Sequence, residues 1–161
     1  MNVYDFAMKV ELQGKAYYED LAATAVPPGF KAICTGLAAD EQKHYDALRS
    51  LKEGKQWGMA ESHALENARS VFADLIGNRN VVSGLDEALD AYRLALKVEA
   101  DSVRMYEEMA TKEEDPATVQ LLLTIANEEK KHYNIVENIC DFIMRPKYYL
   151  EWREFSNLDP L

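Results

Sequence analysis

Residues 4 to 48 overlie residues 92 to 136 without a gap, at a constant offset of 88. The stretch KVELQGKAYYEDLA (9 to 22) falls on KVEADSVRMYEEMA (97 to 110), and ADEQKHYDAL (39 to 48) falls on NEEKKHYNIV (127 to 136). Tyr4, Ala7, Glu11, Tyr18, Pro28, Glu41, His44 and Tyr45 are among the residues that recur as the same type 88 positions later. A duplicated unit restricts the fold severely, because both copies leave the same surface bare and cover it most simply by packing on each other about a pseudo-two-fold axis. At 161 residues the chain suits a single domain, 1–161, built from both copies.

Each copy reads as a pair of helices. Apolar residues recur with helical period, and no segment alternates as a strand would. The pattern predicts helices at about 2–24, 29–54, 85–112 and 117–143, with a fifth at about 60–77. Pro27-Pro28-Gly29, Ser83-Gly84, Asp115-Pro116 and Arg145-Pro146 punctuate them. The copies are joined by a crossover through 55–84, and a short tail, 144–161, carries Tyr, Trp and Phe side chains expected to dock on the bundle or on a partner chain.

Heptad spacing locates the buried seam of each helix, and every seam carries ionisable groups at mid-length. The first helix presents Ala7, Glu11, Gly14 and Tyr18, and its repeat presents Ala95, Glu99, Ser102 and Tyr106. The second presents Leu37, Glu41, His44 and Leu48, and its repeat presents Ile125, Glu129, His132 and Val136. Side chains three apart on a helix can address one point, so Glu41 with His44 and Glu129 with His132 form two matching halves. Glu11 and Glu41 each stand 15 residues from Val26 in the first turn, and Glu99 and Glu129 each stand 15 from Glu114 in the second. Each pair therefore lies at one level. Four carboxylates gathered in an apolar interior without a basic partner carry a prohibitive desolvation and repulsion cost. Two metal cations relieve it, and mixed carboxylate and imidazole donors suit iron or manganese, with zinc as a substitute. Tyr18 and Tyr106, one heptad beyond Glu11 and Glu99, are placed to hydrogen-bond such ligands. Glu19, Glu107, Asp40 and Glu128 fall off the seams and are expected to be solvated, as is His63 in the crossover.

Charge and composition narrow the alternatives. A formal net charge of -10, from 28 acidic and 18 basic residues, argues against a nucleic-acid partner. The opening MNVYDFAMKVEL lacks the apolar run of a signal peptide, and no stretch is apolar over the roughly 18 residues a membrane span needs. Cys34 and Cys140 form no C-x-x-C pair and suit buried thiols in a reducing compartment, so a cytoplasmic location is expected.

Together, Glu11, Glu41-x-x-His44, Glu99 and Glu129-x-x-His132 resemble the ligand pattern of the ferritin-like di-iron carboxylate superfamily. The repeats, with DEQKHY and EEKKHY, look most like its rubrerythrin-related branch, over residues 4 to about 143. The resemblance implies an all-α, ferritin-like antiparallel four-helix bundle with a long crossover between the second and third long helices. It implies two iron ions bridged by Glu41 and Glu129, one capped by Glu11 and His44 and the other by Glu99 and His132, with no catalytic residue beyond these ligands. The expected activity is reduction of hydrogen peroxide or dioxygen; a ferritin-like ferroxidase for iron handling and a metal-stabilised structural bundle are the alternatives. Two departures stand out. Rubrerythrins carry a rubredoxin domain, whereas this sequence has no C-x-x-C, so a separate electron-donor protein is expected. Ser102, matched by Gly14, stands where the family has a further Glu, which leaves space for an oxidant to approach. A homodimer is expected.

Overall fold

The structure, a computed structural model, describes residues 2–25, 28–77 and 86–144. Among them are five α-helices and no strand: α1 (Val3–Thr24), α2 (Pro28–Lys52), α3 (Ala64–Gly77), α4 (Leu89–Lys112) and α5 (Pro116–Met144), with a 3-10 turn (Asp86–Ala88) leading into α4. The expected aromatic tail beyond Met144, residues 78–85 (the end of the expected crossover and residue 85, where a helix is expected to begin) and Val26-Pro27 lie outside the described residues.

Local chemistry sets the helix limits. Asn2 caps α1 by accepting from the Asp5 amide at 2.8 Å, and Asp115 caps α5 by accepting from the Thr118 amide and hydroxyl, with Pro116 in the first turn. At the other end of α2, Gly54 takes a positive φ of 72°. Its amide bonds to the Leu51 carbonyl and that of Lys55 to the Ser50 carbonyl, closing a Schellman motif. The helix therefore stops at Lys52, two residues before the limit that periodicity alone suggests. In the crossover, α3 begins at Ala64 rather than near residue 60, after Ser62 accepts from the Ala64 amide.

Packing follows the duplication. α1 lies along α2, and α4 along α5, while α3 rests on α2 and α5. Phe72 of α3 is fully buried and meets Phe30 of α2 and Phe142 of α5 at ring-centroid distances of 5.8 and 6.3 Å. The apolar interior falls into two clusters. One contains Tyr18, Leu37, Tyr92 and Ile135, and the other contains Ala7, Leu48, Tyr106 and Ile125. On each of the four long helices the chain passes from one cluster to the other through a stretch holding Glu11, Glu41 to His44, Glu99, or Glu129 to His132. α1 and α5 make the passage in one direction, α2 and α4 in the other. The predicted seams are thus buried, and the polar residues on them form a layer between two apolar halves.

Candidate metal centre

Glu11, Glu41, His44, Glu99, Glu129 and His132 are all buried, none more than 5% exposed. They form two groups able to hold a metal ion, Glu11, Glu41, His44 and Glu129 in one and Glu41, Glu99, Glu129 and His132 in the other. Within each group one donor atom per residue lies within 4.8 Å of every other. Glu41 and Glu129 belong to both.

The contacts repeat about the pseudo-two-fold axis. His44 Nδ1 lies 3.3 Å from Glu11 Oε2 and 3.0 Å from Glu129 Oε1; His132 Nδ1 lies 3.3 Å from Glu99 Oε1 and 3.1 Å from Glu41 Oε1. The two rings stack with centroids 6.0 Å apart. Tyr18 donates to Glu99 Oε1 at 2.5 Å, and Tyr106 donates to Glu11 Oε1. Every one of these tyrosine contacts crosses from one repeat to the other.

Asp40 and Glu128 correct the expectation from the seams, because both are buried rather than solvated, at 3% and 7% exposure. His132 Nε2 donates to Asp40 Oδ2 and His44 Nε2 to Glu128 Oε1, each at 2.9 Å. The outer nitrogen of each ring is thereby engaged and Nδ1 is left facing the carboxylates. Asp40 is further held by the Ser62 hydroxyl at 2.5 Å and Lys43 Nζ at 3.4 Å. Glu19, Glu107 and His63 are exposed, as expected.

Electrostatics show what the interior lacks. Burial pushes Glu41 well above the usual carboxylate range, helped by the charges of Glu11 and Glu129, and burial with the Glu129 charge does the same to Glu99. Glu129 is held well below that range: burial opposes its charge, but hydrogen bonds from Glu99, His132 and His44 prevail. Burial likewise opposes the charged form of each imidazole, yet Glu11 beside His44 and Glu99 beside His132 raise both well above the ordinary histidine value. The layer thus offsets part of its negative charge by retaining protons on Glu41, Glu99 and the two imidazoles. It does so imperfectly: Glu41 Oε1, Glu99 Oε2 and His132 Nδ1 are buried with no partner in good hydrogen-bond alignment, although His132 Nδ1 stands within 3.1–3.7 Å of three carboxylates. Three orphaned donor atoms on side chains of one cluster are what a bound cation would satisfy, so the residues fit a metal.

Burial and the neighbouring Glu99 keep the Tyr18 phenol well above its normal value, and burial with Glu11 does so for Tyr106, so both remain protonated donors. Gly14 gives Glu41 its room: a Cβ there would stand 3.1 Å from Glu41 Oε2.

A comparison with models of protein families matches the rubrerythrin model over residues 2–140. Searches of curated proteins and of solved structures return no match. Among the described residues, no helix is long and apolar enough to cross a membrane. The family match covers most of the sequence and contains every residue of the Glu and His layer, and the chain belongs to the rubrerythrin family.

Proposed function

We propose that the protein is a non-haem di-iron oxidoreductase that reduces hydrogen peroxide, or dioxygen, with electrons from a separate donor protein. The observation that carries this reading is the sharing of Glu41 and Glu129 between two four-residue donor groups. In this reading Glu41 and Glu129 would be shared by two iron ions, with Glu11 and His44 holding one and Glu99 and His132 the other. Manganese and zinc fit the same donors. The helices α1, α2, α4 and α5 then act as a ferritin-like four-helix bundle, with the crossover and α3 running along it.

When bound as a ferrous pair, iron supplies two electrons to an O–O bond and neutralises charge on the oxygens as it develops. The chain's own residues do the rest. Asp40 and Glu128 fix the imidazole rings through Nε2, which leaves Nδ1 as the ligating atom. Tyr18 and Tyr106 hold Glu99 and Glu11 in place, and as protonated phenols they can donate hydrogen bonds within the layer. The two apolar clusters exclude bulk water from either side of the layer. A separate electron donor is part of this reading, since Cys34 and Cys140 are buried free thiols on different helices and do not offer a cysteine-bound iron.

The test is anaerobic loading with ferrous iron, followed by stopped-flow absorbance as hydrogen peroxide or dioxygen is added at equal concentration. Fast oxidation by peroxide, with two irons retained per chain, is expected. Iron release, or uptake far beyond two per chain, replaces this reading with iron handling. Glu41→Ala and Glu129→Ala each lose paired binding; two irons bound in both variants would refute the ligand assignment.

A further inference from the structure

A cavity of about 180 Å³ runs between α1 and α4, from the surface to the carboxylates Glu41, Glu99 and Glu129. Its walls include Val10, Leu94, Ala95 and Val98, and its mouth is marked by Leu94 and Val98, which are 51% and 41% exposed. It exists because the two repeats both place a small residue beside the layer, Gly14 on α1 and Ser102 on α4. Along the walls the phenols are engaged elsewhere, the Tyr17 hydroxyl donating to the Ala91 carbonyl and that of Tyr18 to Glu99, and the unpartnered carboxylate oxygens belong to Glu41 and Glu99 at the inner end. Gln13 at the rim and Ser102 inside are the other uncharged polar side chains.

Such walls favour one kind of oxidant over another. Hydrogen peroxide leaves its hydrogen bonds to water on entering and regains them chiefly at the carboxylate end, with little from the apolar walls, whereas a hydrocarbon group gains along those walls by leaving water. An apolar cavity of roughly 150 Å³ accepts a benzene-sized group. The geometry points to a small organic hydroperoxide as the substrate, its alkyl or aryl part held between α1 and α4 and its O–O group directed at the Glu41, Glu99 and Glu129 end. This inference rests on the peroxidase reading above and names its substrate class. The O–O bond of ROOH breaks, and with two electrons and two protons the products are ROH and water. Two ferrous ions, when bound, would supply the electrons, the electron-donor protein would restore them, and the protons would come from solvent.

Two measurements test it on the full chain. Without paramagnetic metal, 2-phenyl-2-propanol, the alcohol formed from cumene hydroperoxide, is titrated while the methyl resonances of Val10, Leu94, Ala95 and Val98 are followed by NMR. These signals are expected to shift together, and Val98→Trp or Leu94→Trp, each at an exposed position on the rim, abolishes the shift. With ferrous iron bound, cumene hydroperoxide is expected to saturate oxidation at a concentration roughly tenfold below that of hydrogen peroxide. Both Trp variants should lower that preference. No methyl shift, or no preference for cumene hydroperoxide while hydrogen peroxide still oxidises the site, overturns the substrate assignment and leaves the peroxidase reading standing. Methyl shifts with no oxidation by either peroxide would instead overturn the peroxidase reading itself.

Discussion

Asp40 and Glu128 stand immediately before Glu41 and Glu129 in sequence, a rotation of about 100° around each helix. A seam drawn at heptad spacing therefore leaves them outside, yet their carboxylates reach the imidazole of the opposite repeat. The clustering of the six Glu and His residues was legible because E-x-x-H occurs twice at one offset. The acidic residue preceding each was equally visible at that offset, but periodicity within one helix says nothing about a partner across the interface. Asp40 shows what that partnership does electrostatically: burial disfavours its charge, but the His132 hydrogen bond holds it below its ordinary value. The two halves are not equivalent, since Ser62 and Lys43 also hold Asp40. Asp40→Ala should weaken one of two bound metal ions by about 10–100-fold, and Glu128→Ala the other, because each ring loses the group that orients it. Ser62→Ala removes one of the groups that hold Asp40, along with the acceptor of the Ala64 amide, and should cost less metal affinity because Asp40 itself remains. Cobalt titration followed by visible absorption separates the two binding steps. Equal weakening of both steps by Asp40→Ala would show that the carboxylate does not serve a single half.

Among the elements, α3 is the one least prefigured by the duplication, having no counterpart 88 positions away. Its helical period was readable, but its docking was not, because the surfaces it covers belong to α2 and α5 and meet only in three dimensions. Gly29 marks the closest approach. A Cβ at that position would stand 2.5 Å from Val71 Cγ1, a distance that forces α2 and α3 apart or twists a stiff β-branched side chain. Gly29, read in the sequence as punctuation with the prolines before it, thus has a packing role as well. Gly29→Ala should destabilise the fold by about 1–3 kcal/mol through overpacking. Val71→Ala opens the same contact from the other side, so the double variant should recover part of the loss. Denaturant midpoints of the two single variants and the double give the coupling; strict additivity would mean that the two residues do not meet.

At the scale of the whole molecule, the layer of carboxylates and imidazoles divides the apolar interior in two, so each cluster must hold together without support from the middle. Phe30, Phe72 and Phe142 anchor one side, and Leu48, Tyr106 and Leu121 the other, which makes the metal-free chain expected to remain folded. Its weakest region is nonetheless the centre, where Glu41, Glu99 and His132 carry unpartnered atoms. Cations that bind only the folded chain add stability by mass action, about 2.7 kcal/mol for each site at a hundredfold excess over its dissociation constant. Two sites in a chain of this length would move the melting temperature by on the order of 10–20 °C. Metal ligation also requires Glu41, Glu99, His44 and His132 to surrender protons that their raised pKa values retain, so affinity should increase with pH as those protons are lost. Chelation should therefore lower the melting temperature while leaving the helical circular dichroism in place at 25 °C, and adding zinc to the chelated protein in weak buffer should acidify it. Glu41→Ala, which removes a residue shared by both groups, should show little of either effect. A melting temperature unchanged by chelation, in a sample shown to have lost its metal, would mean that the layer is held together by its retained protons alone.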